Sequence, residues 1–561
     1  MPWRIAALVL SVCSALACGD DAVDSGSTPP GGETDPGGDS TQPPGPDPDA
    51  PPAATPASTC EAPLDPVDVS DPDRGVGDGS AASCSREALQ AAVEAGGVIT
   101  FDCGGDVTIP IDAAIRLPPD RDVTIDGGER ITLDGGRDDG IETRIFELES
   151  PDFRATSTTF TLQHITLQNA RAPASDFVEE DPGNPECAHG YRDGQGGAIF
   201  VRDAILHVFG VAFRNNAASS PGPDTGGGGI YAVGSLEVVV VDSVFDGNEG
   251  SNGGGVGLLQ SDGIFVNSVF SNNAATGNGA NFGGASGCPS FNHDAQGGAG
   301  GNGGAIVIDG GSVQRASFCG VRFERNQAGA LGTVFRTPNS QRGRTTFERC
   351  SFVDNFAEEG GGGIYTQDTE LSVLACTFSG NSANGGGGAI RLEQGVHGST
   401  LELVNTTLHD NSVNRALGGA LVFDGEGTVQ SCTFARNRAV GGFDEAAQAA
   451  FFGAAINGGA FTPAQHHLRR QHRHPPLDAD DLPRVVPPAR RGESAVAAQA
   501  RRRGREPERS GRRPLQHRRA LGGRHARLPG RQRRSDSHDD AARLQPGHRP
   551  RPGLSADRSA R

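Results

Sequence analysis

Lysine is absent from this 561-residue chain: the 49 basic residues are all arginine, set against 69 acids for a net charge of −20. Bulky anchors are scarce as well, with one Trp (Trp3), three Tyr and one Met, so that 26 Phe carry nearly all the aromatic mass. No apolar run approaches the roughly 20 residues that a membrane-spanning helix needs. The 83 glycines follow no strict Gly-X-Y period, which excludes collagen. A single large globular core is excluded on the same grounds. What is present suits a repetitive all-β architecture with flexible segments.

The charge falls into three unlike regions: −7 over 1–60, −28 over 61–463 and +15 over 464–561. So acidic a middle repels nucleic acid and anionic lipid, and no nucleic-acid partner is expected.

The amino terminus has export-signal proportions. Met1–Arg4 is a short basic start, and Ile5–Ala17 is apolar but too short to span a bilayer. It runs into Ser14-Ala15-Leu16-Ala17-Cys18, which resembles a bacterial lipobox, the motif whose cysteine is lipidated and becomes the new first residue. Two readings fit: a membrane anchor through Cys18, or plain secretion with Cys18 incidental. Residues 19–60 are mostly Gly, Pro, Asp, Ser and Thr. Such a segment buries too little to offset its conformational entropy and reads as a disordered acidic linker.

Residues 160–462 carry a two-part repeat. One part is Phe-x-x-Asn: Phe213/Asn216, Phe245/Asn248, Phe270/Asn273, Phe323/Asn326, Phe352/Asn355, Phe378/Asn381 and Phe434/Asn437, with Leu408/Asn411 as a variant. The other is Gly-Gly-Ala-Ile or a near relative, at 196–199, 227–230, 253–256, 303–306, 361–364, 387–390 and 418–421. Successive Asn residues lie 32, 25, 53, 29, 26, 30 and 26 apart, the 53 holding one long Gly-rich insertion.

Such a unit is too short for a domain and too long for one hairpin. Coiling the chain so that equivalent strands stack in parallel, about 4.8 Å apart, satisfies every ladder hydrogen bond. The Phe side chains then stack inside. Each Asn takes a corner, where it tolerates a left-handed backbone and bonds the next Asn. The Gly pair permits positive φ at the following corner. Ile199, Ile230, Val256, Ile306, Ile364 and Ile390 form a second internal column. The expected fold is all-β, a right-handed parallel β-helix of the pectate-lyase-like solenoid kind, over 61–463.

The coil is expected to open with a capping helix within 84–97. Ser85 caps it, Leu89, Ala92 and Val93 share a face, and Gly96-Gly97 end it. Covering the first coil protects a backbone edge that would otherwise recruit other chains.

Alternating Gly-Gly-Ala-Ile and Phe-x-x-Asn resembles the chlamydial polymorphic outer membrane protein repeat. Cys84-Ser85-Arg86-Glu87-Ala88, followed by Ile99-Thr100-Phe101, looks like the Cys-Ser-Leu-Arg-Glu-Ala motif that starts many bacterial β-helix proteins. The likeness covers about 84–462 and implies a right-handed β-helix at the cell surface with an adhesin-like role. It departs in one respect: no alternating barrel strands follow 462. A lipid anchor would take the barrel's place.

Eleven cysteines include Cys13 in the signal and Cys18. In an exported protein the rest can form disulfides. Cys187 and Cys288 sit in long insertions that leave the same corner about three coils apart, and a bond between them is reachable. Cys84 pairs with Cys103 to tie the cap to the first coil, or Cys60 competes. Cys350, Cys376 and Cys432 each precede a repeat Asn by five residues, in a slot that Ser243, Ser268, Val321 and Thr406 fill elsewhere. They read as small buried side chains, with a Cys350–Cys376 bond as the alternative. No His accompanies them, so no metal is expected.

After Ala464 the repeats stop. The last 98 residues hold 25 Arg and 8 His but no Phe, Tyr, Trp or Ile. At face value this is a basic arm. Gln465–His474 can, however, be encoded so that dropping one base yields Ser-Thr-Thr-Phe-Ala-Ala-Asn-Thr-Ala, another Phe-x-x-Asn. A disordered, frameshifted tail over 464–561 is the preferred reading.

Parallel β-helices also house polysaccharide lyases and hydrolases, which need clustered carboxylates. Asp242, Asp246, Asp354 and Asp410 form no evident constellation, and His164, His207 and His409 fall on strands, facing solvent or packing. Gly297–Gly304 lacks the βαβ surroundings of a nucleotide site. No catalytic residue and no cofactor are expected. The function expected is a non-catalytic, lipid-anchored surface or extracellular protein that binds a glycan or a cell-surface protein through loops 170–195 and 274–302. A lyase or hydrolase on the same scaffold is the alternative.

Overall fold

The computed structural model describes residues 59–440 apart from 151–156, 174–179, 182–183, 189–193, 220–224, 278–299, 311–314, 339–340 and 415, together with the backbone of 456–463, 466–468 and 472–474. The typical repeat becomes three short strands and a two-residue fourth. One coil runs Ile230–Val233, Val238–Val241, Val244–Asp246 and Glu249–Gly250; the next runs Val256–Leu259, Gly263–Val266, Val269–Ser271 and Ala274–Ala275. They pair in parallel and in register, Ile230 with Val256, Val238 with Gly263, Phe245 with Phe270 and Glu249 with Ala274. Repeated along the chain, this gives a right-handed parallel β-helix in which each coil supplies the hydrogen-bond partners of its neighbours.

The interior is built of columns. Phe213, Phe245, Phe270, Phe323, Phe352 and Phe378 stack face to face, with centroids 4.4 to 5.3 Å apart. Leu408 follows Phe378 in register, and Phe434 follows Leu408. A second ring column, Phe265, Phe318 and Phe347, meets the first edge-on at Phe270, Phe323 and Phe352. Such contacts add about 0.5–1.5 kcal/mol per pair beyond area burial. The aliphatic column holds the six expected residues, and also Val334 and Leu421. Val334 belongs to Leu331-Gly332-Thr333-Val334, a degenerate Gly-Gly-Ala-Ile that the sequence pattern passed over.

All eight repeat Asn residues are fully buried. The backbone N–H and the side-chain Nδ2 of each one from Asn216 to Asn411 donate to Oδ1 of the Asn on the following coil, the backbone bonds measuring 2.9–3.2 Å. Nδ2 also donates to a carbonyl of the preceding coil, as from Asn248 to Phe213 O and from Asn273 to Phe245 O. The stack is therefore as expected, but the left-handed backbone expected at its members is corrected. None of Asn216, Asn248, Asn273, Asn326, Asn355, Asn381, Asn411 and Asn437 has a positive φ. The positive φ belongs to the residue before each: Asn215, Gly247, Asn272, Arg325, Asp354, Gly380, Asp410 and Arg436. At the Asn272-Asn273 pair, where either residue could have bent, the φ of 56° falls on Asn272 and Asn273 stays in the stack. The residue before makes the bend, which frees the Asn to point inward.

The Gly pair divides its labour too. Gly227 has a φ of 68°, whereas Gly228 does not need positive φ. A Cβ on Gly228 would lie 2.4 Å from Glu249 O and 2.5 Å from Gly254 O, so the coils close only over hydrogen.

At the amino-terminal end, a ten-residue helix, α1 (Arg86–Ala95), starts at Ser85, whose side chain accepts from Ala88 N–H, and ends at Gly96. It buries Leu89, Ala92 and Val93 on the first coil. Two boundaries shift. Thr59 and Cys60, assigned to the linker, lie fixed on the β-helix wall. At the other end the winding does not stop at 463: His466–Leu468 pairs with Cys432–Phe434, and His472–His474 with Arg438–Val440.

Candidate functional site

Among the described residues, the columns leave room inside the coil for one arginine and for small polar groups that hold the corners. The slot before each Asn is one of these. Val211 N–H donates to Ser243 Oγ, Ser243 N–H to Ser268 Oγ, Cys350 N–H to Cys376 Sγ and Cys376 N–H to Thr406 Oγ1. Cys350, Cys376 and Cys432 are buried free thiols, and burial pushes the Cys350 thiol well up, away from the reactive thiolate. Arg336 is an exception the sequence did not flag: it takes an inward slot between Ile308 and Thr366, and desolvation brings its guanidinium down to about 10.

Cys84 is bonded to Cys103, which ties the cap to the first coil. Cys60 takes another partner, Cys319, at a separation of 259 residues. Cys319 was unassigned from sequence, although the alternation in Ala316-Ser317-Phe318-Cys319 puts it on the outer wall when Phe318 points inward. From Cys60 the chain forms a strap down that wall. Asn267 Oδ1 accepts from Thr59 and Cys60 N–H, and its Nδ2 donates to Cys60 O. Gln163 clasps Val67 in the same way, accepting from its N–H at 3.0 Å and donating to its carbonyl at 2.9 Å. Beneath the strap, Phe209, Val239, Val241 and Val266 form an outward apolar stripe, buried with Cys60. Cys18, Cys288 and the side chain of Cys187 lie outside the described residues, as do 174–179, 182–183 and 189–193 of the first insertion and 278–299 of the second.

The roots of those insertions are described. Arg171 bridges Ala217, Ala217 bridges Glu249, and Glu249 pairs with Ala274, so the two insertions leave one edge three ladder steps apart, about 14 Å. The second root is pinned where Gly301 N–H donates to Ser251 O and Asn302 N–H to Asn252 Oδ1. Near the first, Arg137 Nη2 reaches Glu249 Oε2 at 2.6 Å, and burial lowers the Arg171 pKa.

Ionisable groups elsewhere on the wall pair locally. His164 Nδ1 lies 3.0 Å from Asp126 Oδ2. Burial raises the Asp126 pKa, yet bonds from His164, Gln163 and Gly128 N–H hold it below the ordinary value. His207 meets Glu237 at 3.2 Å and His409 meets Asp410 at 2.7 Å. Hydrogen bonding from Arg436 brings Asp410 down to about 2. Asp242, Asp354 and Asp410 occupy left-handed corners, and Asp246 accepts from Ser271 and Asn272. These acids therefore serve turns and ladder bonds, Asp242 and Asp246 on one coil and Asp354 and Asp410 on two others. No group of three His, Cys, Asp or Glu able to hold a metal occurs among the described residues.

One trough opens on the outer wall beyond the strap. It measures about 430 Å³ and is lined by Arg344, Thr346, Glu370, Ser372, Thr400 and Glu402, among others. Arg344 Nη2 donates to Glu370 Oε2 at 3.1 Å and Ser372 Oγ to Glu402 Oε2 at 3.0 Å.

Residues 349–367 and 375–393 match the Chlamydia polymorphic membrane protein repeat, so the chain carries this repeat. No curated protein matches the chain. Among solved structures it is similar to the family 28 exopolygalacturonase of Yersinia enterocolitica, at 9% identity over 69% of this chain and 75% of that one, with a TM-score of 0.22. It is similar also to the A-module of the mannuronan C-5 epimerase of Azotobacter vinelandii, at 14% identity over 71% and 100%, with a TM-score of 0.24. At such scores neither likeness bears on function.

Proposed function

We propose that this chain is a bacterial surface β-helix lipoprotein with a non-catalytic binding or spacing role, adhesin-like or structural in the envelope. It is held to the outer membrane through Cys18. The repeat supports a membrane-associated, surface-displayed protein. The observation that carries the binding role is the shared edge: two long insertions are rooted on one side of a scaffold whose described histidines and repeat acids pair locally or serve turns. Exposed loops on a rigid scaffold are where recognition concentrates. The ligand is a glycan or a cell-surface protein, bound by loops 170–195 and 274–302.

The experiment deletes both insertions between their described roots. Binding to host cells or a glycan array disappears while far-ultraviolet circular dichroism is unchanged; retained binding rejects this edge. Release of reducing or unsaturated ends from acidic polysaccharides would instead move the assignment to carbohydrate chemistry. Labelling with a radioactive fatty acid, lost in Cys18→Ala, tests the anchor.

A further inference from the structure

The strap has a direction. Cys60 is bonded to Cys319 and clasped by Asn267, whereas Val67 is clasped at Gln163, three ladder steps nearer the first coil. The segment therefore descends the wall against the direction of winding. Extended backwards from Thr59, the line of the described strap points along the same wall toward the coils that come after Cys319.

The trough lies on that path. Ser317 pairs with Thr346, Thr346 with Ser372 and Ser372 with Glu402, so the trough begins one coil beyond the disulfide and extends two more. We propose that it seats the residues immediately before Thr59, Pro51-Pro52-Ala53-Ala54-Thr55-Pro56-Ala57-Ser58, as an extended continuation of the strap.

Three observations support this occupant over another molecule. The first is continuity, since the trough and the strapped stripe are one wall of one sheet. The second is reach: three ladder steps are about 14 Å, which five residues of polyproline-type chain cover at about 3.1 Å each. The third is chemistry. Residues 51–58 are uncharged, so the Arg344–Glu370 pair survives their docking. Three of the eight are proline and bring no N–H, while their carbonyls suit the hydroxyls of Thr346 and Thr400. The consequence is a displaced tether, which leaves the wall near the carboxy-terminal coils and not at the α1 cap. This holds whether or not Cys18 is acylated.

The test is a cysteine pair in the mature chain. Ala54→Cys with Ser372→Cys should form an intramolecular disulfide under mild oxidation, found by peptide mapping and independent of protein concentration. Ala54→Cys with Ser379→Cys, on the neighbouring wall, should not. Separately, Ser372→Cys alone should react with a maleimide at least tenfold more slowly in the full chain than in a chain lacking residues 44–58. Equal labelling, equal bonding to both walls, or bonding only between two molecules overturns the proposal; the last makes a second copy the occupant.

Discussion

Asn326 donates its backbone N–H and its side-chain Nδ2 to the same oxygen, Oδ1 of Asn355, at 2.9 and 3.0 Å, in a site closed to water. Two donors on one acceptor, repeated coil after coil, explain why this slot takes Asn and nothing smaller. Asn355→Ala strands the two Asn326 donors and removes the Nδ2 that serves Asn381 Oδ1 and Phe323 O, while Asn381 Oδ1 keeps the backbone N–H of residue 355; each buried group left unpaired costs about 1–3 kcal/mol. We expect a loss of about 2–5 kcal/mol by urea unfolding, against under about 1 kcal/mol for the exposed Asn414→Ala. Asn355→Asp makes the sign readable. A carboxylate there is buried and cannot donate, so its folded pKa rises above the unfolded one. Its destabilisation must then grow as pH rises from 4 to 8.

The strap is held covalently at one end and by hydrogen bonds at the other. Cys60→Ser with Cys319→Ser should free residues 60–72 to proteases and lower stability by about 2–5 kcal/mol, as expected for a cross-link closing a long loop. Circular dichroism should not change, because the coil ladders do not pass through the strap. Unchanged protease resistance would mean that Asn267 and Gln163 hold the strap unaided.

The Gln163 clasp depends on pH through its support. Gln163 Nε2 donates to Asp126, which also meets His164. Hydrogen bonding to Asp126 raises the His164 pKa in spite of burial, and Asp126 stays below its ordinary value. The His164 contribution is full below about 6.5 and is lost as pH climbs through its raised folded value. The Asp126 contribution is present above about 3.9 and is lost as pH falls through its depressed one. Cleavage in the strap should therefore be slowest near pH 5–6 and faster at pH 8. The His164 imidazole should titrate above about 6.5 by NMR, and Asp126→Asn should return it downward.

The carboxy-terminal register yields a genetic prediction. Leu468 pairs with Phe434, and His472 with Arg438, the residue after Asn437. With the encoding given above, the shifted reading frame would put phenylalanine at position 468 and asparagine at position 471, where both columns need them. A chain re-encoded in that frame from codon 465 should melt several degrees higher and resist carboxy-terminal trimming. An equal or lower melting temperature would mark the arginine-rich tail as the native ending.

Much of this was legible because the forces are periodic. Phe213, Phe245 and Phe270 recur in one slot, and a period near 26–32 residues leaves few ways to bury them all. The corners were less legible. Which residue carries positive φ is decided by one backbone step: the Asn pattern pointed to Asn216 and Asn273, but the bends sit at Asn215 and Asn272. Asn216 must face inward to reach Asn248, and Asn273 to reach Asn326. The Cys60–Cys319 bond was hidden for a different reason. Nothing in the repeat announces a partner 259 residues away from outside the coil. The outward parity of Cys319 and the valine-rich stripe at Val239 and Val241 were the available signals. Arg336 breaks the inward alternation that Ile308 obeys, and nothing in its neighbours' sequence foretells it.

The stacking itself is measured most directly by spin-label distances along one wall, with the buried thiols replaced by serine. Labels at Glu402 paired in turn with Ile264, His207 and Thr161 lie four, six and seven ladder steps apart. The expected separations are about 19, 29 and 34 Å, a straight line of about 4.8 Å per coil. Distances that do not rise in proportion to coil number would contradict the wound architecture and every functional conclusion built on it.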